Sequence, residues 1–439
     1  MEKKKYGKRY PLLLIAAMML FASACGADKS SKEGDKGETK TKEPVELAFY
    51  FQNGNWTEER FMDLFGTPIQ AKFPHITPKL VLQSKGPVED FIASGTMVDV
   101  WFNTASSVPM NISMAIDYDM SELIKKNTFN LNQLEQTSIE RMRSMANGGL
   151  IGLPYSAELS LLYYNKDLFD KFGVPYPKDG MTWDDVYPLA KSLSRNDGGV
   201  LYRGIRFNVA FGLLYNQLSE AFVDPKTNNA TLQTDKWRKV IDNMTRLYQI
   251  PGNEATVSQI TNPLKGFFED KDTAMFVGNS ANAVNIWEMT KTMNWDAVQL
   301  PFFKDAPGVG SQLEPWYAEI TRQSKHKEDA FEVIAYITSD EIQTKLARQG
   351  IVPITVKSDI INQFGKDNPV FQGKNVHAFI PWTKSKPAPS PSRSVYVGAA
   401  APKLYSWSYK IIAGDIDMNT GLRSAQEEAE KAVKEARLK

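Results

Sequence analysis

Two observations predict an α/β fold built as two lobes. Beyond Pro44 the chain still has about 395 residues, more than one core of ordinary size holds. Short apolar or alternating runs recur between segments of helical periodicity. That is the pattern of β-α-β units, whose loops gather at one edge of a sheet, where ligands bind.

The N-terminal segment reads as an export signal. Lys3, Lys4, Lys5, Lys8 and Arg9 precede an apolar run from Leu12 to Ala22. The run falls short of the roughly 18 apolar residues that a membrane span needs, but it suits the hydrophobic core of a signal peptide, here residues 1–24. Ala22, Ser23 and Ala24 then lead to Cys25, the only cysteine. This placement resembles the bacterial lipobox, in which the cysteine is acylated and becomes the first residue of the mature chain. Ala22 stands where that motif usually has leucine. The alternative is an ordinary signal peptide with a chance cysteine, which would leave an exported protein with an unpaired thiol, a liability. Residues 26–44 hold no large apolar side chain, so 25–44 is expected to be a lipidated cysteine and a solvated tether.

Composition narrows the chemistry. Lysine plus arginine (52) nearly balance aspartate plus glutamate (51), and without a basic cluster a nucleic-acid partner is not expected, because phosphate binding relies on concentrated positive charge. The three histidines, His75, His326 and His377, are widely separated. Neither a zinc site nor thiol catalysis is expected, and no metal or cofactor is predicted.

Val45 to Phe51, Leu80 to Leu82 and Val98 to Phe102 read as strands of a first lobe. Glu58 to Phe65 and Val88 to Ala93 look helical. Further on, Trp237, Ile241, Met244 and Tyr248 fall at helical spacing, as do Ala330, Ile334 and Ile337, and Leu422, Ala425, Ala429 and Val433. These stripes are core faces. Tyr163 and Tyr164 end a strand, Lys166 to Phe172 form a helix closed by Gly173, and Thr182 with Asp185 is a capping box opening the next helix.

The segment from Leu153 to Leu193 carries a specific resemblance. Leu153 and Pro154, then Tyr164 to Phe169 (YNKDLF), then Pro177, then Thr182 to Asp185 (TWDD) match in order and spacing the extracellular solute-binding proteins of family 1. This is the maltose-binding-protein class, which feeds sugars to ABC importers. Further landmarks follow the same order along almost the whole mature chain: Phe73 and Pro74, Gly95 with Asp99, Ala274 to Phe276, Leu300 to Phe302, the helix pair from Ala330 to Pro353, and the closing helix GLRSAQEEAEKAVKEA. The resemblance implies a type II periplasmic-binding-protein-like fold, two discontinuous α/β lobes joined by hinge crossings that close on a ligand. It places the crossings near Pro154 to Ser156, Pro301 to Lys304 and Pro381 to Arg393. The N-terminal lobe is then 45–155 with 303–372, and the C-terminal lobe 156–302 with 373–439. It further implies a monomer without enzymatic activity, anchored at the extracytoplasmic face of the bacterial cell membrane. Its partners would be a sugar, an oligosaccharide by expectation, and ABC permease subunits.

A sugar cleft uses aromatic faces against pyranose rings and planar polar groups against paired hydroxyls. By the resemblance, the loop after the first strand supplies Asn53, Asn55 and Trp56, with Trp56 either a stacking platform or a loop anchor. Asn103, with Thr104 and Ser106, occupies the loop after the third strand, while Asp99 reads as a brace. Glu158 sits where the family carries a cleft glutamate. A carboxylate inside the run SAELSLLYY needs a partner, because burying it unpaired is costly; sugar hydroxyls or a structural arginine would serve. Asn279 belongs to the turn Gly278 to Asn282. Trp316, preceded by Glu314 and Pro315, reads as cleft rim or packing, and Tyr396 follows the third crossing.

Other readings are weaker. Asp415, Asp417 and Asn419 imitate the start of a calcium loop, but the glycine falls one place late and position twelve is Gln426, so a cap on the last helix is expected. Residues 278–282 (GNSAN) lack the second glycine of a nucleophile elbow. An exported glycosidase using Glu158 and Glu314 is the competing class. A receptor for a non-sugar solute and a lipoprotein adhesin or sensor on the same fold are further alternatives.

Overall fold

The computed structural model describes residues 42–52, 56–82, 97–285, 291–380, 388 and 394–438. The residues described from Glu43 onward form one compact unit. The expected signal, Cys25, most of the tether, the Val88 to Ala93 helix and most of the third crossing lie outside the described residues.

Among the described residues, ten strands make two five-stranded sheets. The first contains β1 (Val45–Phe51), β2 (Ile76–Val81), β3 (Val100–Thr104), β4 (Gly152–Glu158) and β10 (Glu314–Ile320), in the order β2-β1-β3-β10-β4. Its first three strands are parallel, and β10 runs antiparallel to both β3 and β4. The second contains β5 (Ser160–Asn165), β6 (Arg195–Asp197), β7 (Val200–Phe207), β8 (Thr273–Asn279) and β9 (Trp295–Gln299), in the order β6-β7-β8-β5-β9. Only β7 and β8 pair in parallel there.

Leu159 alone separates β4 from β5, so the chain passes from one sheet to the other over a single residue. It is clamped on both sides. The Leu159 carbonyl accepts from Ser280 N at 2.8 Å, the Leu159 N–H donates to Ser280 Oγ at 3.3 Å, and Ser160 N donates to Ser311 Oγ at 2.9 Å. The chain returns to the first sheet between β9 and β10.

The helical expectations are met where sequence periodicity was strongest. Asp235–Tyr248 buries Trp237, Ile241, Met244 and Tyr248, Lys327–Ile337 buries Ala330, Ile334 and Ile337, and Met418–Ala436 buries Leu422, Ala425, Ala429 and Val433. Asn165 caps Lys166–Phe172, which ends on Gly173 at φ 64°; Thr182 and Asp185 form the reciprocal capping box of Trp183–Leu193. Asp417 accepts from the N–H groups of Asn419 and Thr420 and so caps the last helix. Asp99 braces, taking the Ala48 N–H at 2.9 Å and the Ser324 hydroxyl at 2.6 Å.

Two elements extend beyond their sequence reading. The second strand begins at Ile76 and passes through Pro78 and Lys79 with alternating burial; as an edge strand it tolerates a proline. The helix expected over 58–65 continues to Lys72, with a π-type turn at Met62–Gly66.

Candidate functional site

An open cleft lies against the end of β4, concave and lined mainly by apolar and aromatic side chains with a few polar groups, as small-molecule sites are. Its walls come from both sheet systems. The 56–65 segment, β4 and Trp316 form the part built on the first sheet, Ser280 to Val284 follow β8 of the second, and Gly350 to Val352 complete it. Gly350 has φ 80°, a conformation that favours glycine.

Aromatic stacking sets one wall. The rings of Phe102 and Phe51 stack at 4.1 Å and 5°, and Phe51 stacks on Trp56 at 4.0 Å and 23°. The next helix begins just beyond Trp56, with Thr57 as its cap. Its first turn brings the Arg60 guanidinium over the Trp56 ring, 4.5 Å from the centroid. Phe65 and Phe102 meet the Tyr155 ring edge-on at 6.0 and 5.1 Å. Burial pushes the Tyr155 hydroxyl above its ordinary range, so it remains a neutral donor and acceptor.

Two carboxylates face each other at the junction. Glu158, the last residue of β4, is directly opposite Glu314, the first of β10, and like charges in such a pair are unfavourable. Burial first, and the Glu314 charge second, raise the Glu158 carboxyl to about 8, against a hydrogen bond from the Trp316 side chain that lowers it. At neutral pH Glu158 therefore keeps its proton and can donate to a ligand as well as accept. Glu314 lies deeper, 4% exposed. Ser106 N and Oγ approach its Oε1 at 3.4 and 3.3 Å, and buried Arg141 is its electrostatic partner.

Of the expected site residues, Trp56, Glu158 and Trp316 come together on the cavity. Asn53 and Asn55 lie outside the described residues, as does Cys25. Asn103 does not stand in a loop as expected: β3 runs on to Thr104, and Asn103, opposite Tyr317, is fully buried within the strand. Asn279 ends β8 beside the lining residues, where its side chain accepts from Asn282 N at 3.1 Å. Tyr396 does not line the cavity; it packs on the second core and lies under Arg437, 5.7 Å from the guanidinium.

Sequence reasoning missed Arg60, Phe65, Tyr155 and the Gly350 to Val352 wall, whereas Ser280 lies in the turn it had placed at the cleft. Arg60 had one available signal, its place four residues after Trp56. It also missed a meeting of distant residues: the possible ligand atoms of His75, Asp329 and Glu332 lie within 4.8 Å of one another, the one potential metal-ligand group found among the described residues. His75 Nε2 is 3.2 Å from Asp329 Oδ1.

The family model for bacterial extracellular solute-binding proteins matches residues 69–372, and the chain belongs to that family. The sn-glycerol-3-phosphate-binding periplasmic protein UgpB of Brucella melitensis is 23% identical over 300 residues, covering 62% of this chain and 66% of that protein. The match thus spans just under two thirds of that relative. The arabinooligosaccharide-binding protein of Bacillus subtilis is 23% identical over 360 residues, 75% of this chain and 76% of that one. In three dimensions the chain is similar to the ABC substrate-binding protein Lmo0181 from Listeria monocytogenes, solved in complex with cycloalternan. The TM-score is 0.71 at 17% identity, over 89% of this chain and 100% of that one, a likeness of fold. No described helix is long and apolar enough to cross a membrane.

Proposed function

We propose that this solute-binding protein captures a carbohydrate, in oligosaccharide form, in the cavity at the β4–β5 junction and delivers it to an ABC importer in the same membrane. The observation that carries the reading is the grouping of Trp56, Trp316 and Glu158 on one open cavity whose walls belong to both sheets. Indoles offer flat apolar faces and a protonated carboxyl offers both hydrogen-bond roles, the combination that sugar hydroxyls on an apolar ring require. The names of a relative and a structural neighbour, with arabinooligosaccharide and cycloalternan as their ligands, point the same way.

In this reading residues 1–24 are removed, Cys25 carries the lipid, and 26–44 tether a monomeric body outside the cell. The lobes are 45–155 with 303–372 and 156–302 with 373–439. Asn53 and Asn55 remain candidate contacts from the loop before Trp56, and Asn279 a candidate beside Ser280. No bond is broken. Glu158 and Glu314 sit side by side on paired strands, with Glu314 beneath the surface, whereas a glycosidase places its two carboxylates on either side of the scissile bond.

The test is a thermal-shift screen of the chain from Gly26 onward against mono- and oligosaccharides, with amino acids, peptides and polyamines as controls and product analysis of every hit. A ligand at a hundred times its Kd adds about 2.7 kcal/mol. A sugar hit recovered intact supports the proposal. Cleavage of the hit transfers the case to an enzyme, and hits confined to the controls discard the sugar.

A further inference from the structure

Arg60 is held by its face. Its guanidinium lies over Trp56, which is the outer ring of the stack running from Phe102 through Phe51. A guanidinium is planar and carries its five N–H donors around its rim, so stacking leaves the donors available for other partners. Among the described residues Arg60 has no carboxylate within ion-pair distance, and no acceptor meets its side-chain donors; its one hydrogen bond to a side chain is made by the backbone, Arg60 N to Thr57 Oγ1 at 3.2 Å. It nonetheless lines the cavity. A partly buried cation without a counter-charge is an expensive feature to keep.

The surrounding charges sharpen the point. Glu158, the carboxylate on the same wall, draws its perturbation from burial and Glu314, and Glu314 is matched to Arg141. Tyr155 is the ionisable group nearest Arg60 in electrostatic effect, and burial keeps it neutral. Among the described lining residues Arg60 therefore supplies the one formal positive charge, in a rigid fork whose geometry fits two oxygens of a carboxylate or phosphate.

Resting on the proposed sugar-binding role, we infer that the solute is an acidic carbohydrate, whose oxyanion is read bidentately by Arg60. Carboxylate and phosphate share this chemistry, and the experiment separates them.

The chain from Gly26 onward is titrated calorimetrically with matched pairs: galacturonate and galactose, an oligogalacturonide and the corresponding neutral galactan, glucose 6-phosphate and glucose, sn-glycerol 3-phosphate and glycerol. The expected result is that one acid binds about 10- to 100-fold tighter than its neutral partner, the range for a charge-assisted hydrogen bond, and that Arg60→Gln collapses this ratio. The uronate and phosphate arms identify the anion. Arg60→Lys, which keeps charge and stem but loses the fork, is expected to retain only part of the ratio. It also guards against a glutamine variant that fails to fold, which circular dichroism would reveal. Equal affinity for acid and neutral members, or a ratio unchanged in both variants, overturns this inference while leaving a neutral-sugar receptor intact. Failure of every carbohydrate, acidic or neutral, overturns the sugar-binding reading and this inference with it.

Discussion

Glu158 gives the cavity a pH signature that can be read without knowing the ligand. Its carboxyl is raised to about 8, and that of fully buried Glu319 to about 7, both chiefly by burial. The unfolded chain releases these protons near 4.5, so between that pH and the native value the folded state holds the extra proton. Stability is then fullest below about 4.5 and falls as pH rises, by up to about 1.4 kcal/mol per pH unit for each group, with the Glu158 share trimmed by solvent at the cavity mouth. Between pH 7 and 8 Glu158 carries the larger share of this loss and Glu319 a smaller one. Denaturant titrations should therefore show the wild-type protein losing stability across that unit more steeply than Glu158→Gln; parallel curves would contradict the assignment. The same residue illustrates what sequence can disclose. A carboxylate in an apolar run announces a special environment, and a tryptophan between polar loop residues announces a poor core candidate. Asn103 misled because β3 outlasts its apolar run by two residues, so a polar side chain that reads as loop enters the interior. Arg60 was invisible for another reason: on an amphipathic helix a basic residue is ordinary, and only the stack beneath it makes it unusual.

At the level of elements, legibility followed local chemistry. The Asn165 cap, the Thr182 and Asp185 box and the Gly173 stop are written in adjacent residues, and all three are present. The β2 strand was read too short because Pro78 and Lys79 oppose strand propensity in isolation, whereas parallel pairing with β1 along one edge accommodates them. The Gly350 to Val352 wall was recognised only as a landmark, since its role arises from packing between distant segments. Gly350 combines φ 80° with a close neighbour: a β-carbon there would fall 2.0 Å from Phe371 Cε2. Left-handed backbone strain and overpacking together predict that Gly350→Ala loses about 2–5 kcal/mol of stability. Ligand affinity should weaken as well, because Ile351 and Val352 move with it. An unchanged denaturation midpoint would show that the wall yields freely.

For the molecule as a whole, the connection between the sheets is what turns a cavity into a receptor. The sheet-to-sheet passage at Leu159 is one residue long and is tied to Ser280 and Ser311, while Ser280 also lines the cavity. A ligand held between Trp316 and Glu158 on one side and Ser280 to Val284 on the other thus touches groups carried by both sheets. Contacts to both can form together only over a limited range of sheet-to-sheet angles, so a bound solute favours the more closed members of the ensemble. The shift is limited by its differential affinity for them. This predicts that a solute found by the thermal-shift screen lowers the radius of gyration in small-angle scattering as it saturates the site. Trp316→Ala should weaken binding by about 10-fold or more, as loss of an aromatic anchor does, and the compaction should reappear only at correspondingly higher solute concentration. Saturation with no change in scattering would sink the closing mechanism and leave a rigid binding cleft, since capture would then report nothing to a transporter through lobe geometry.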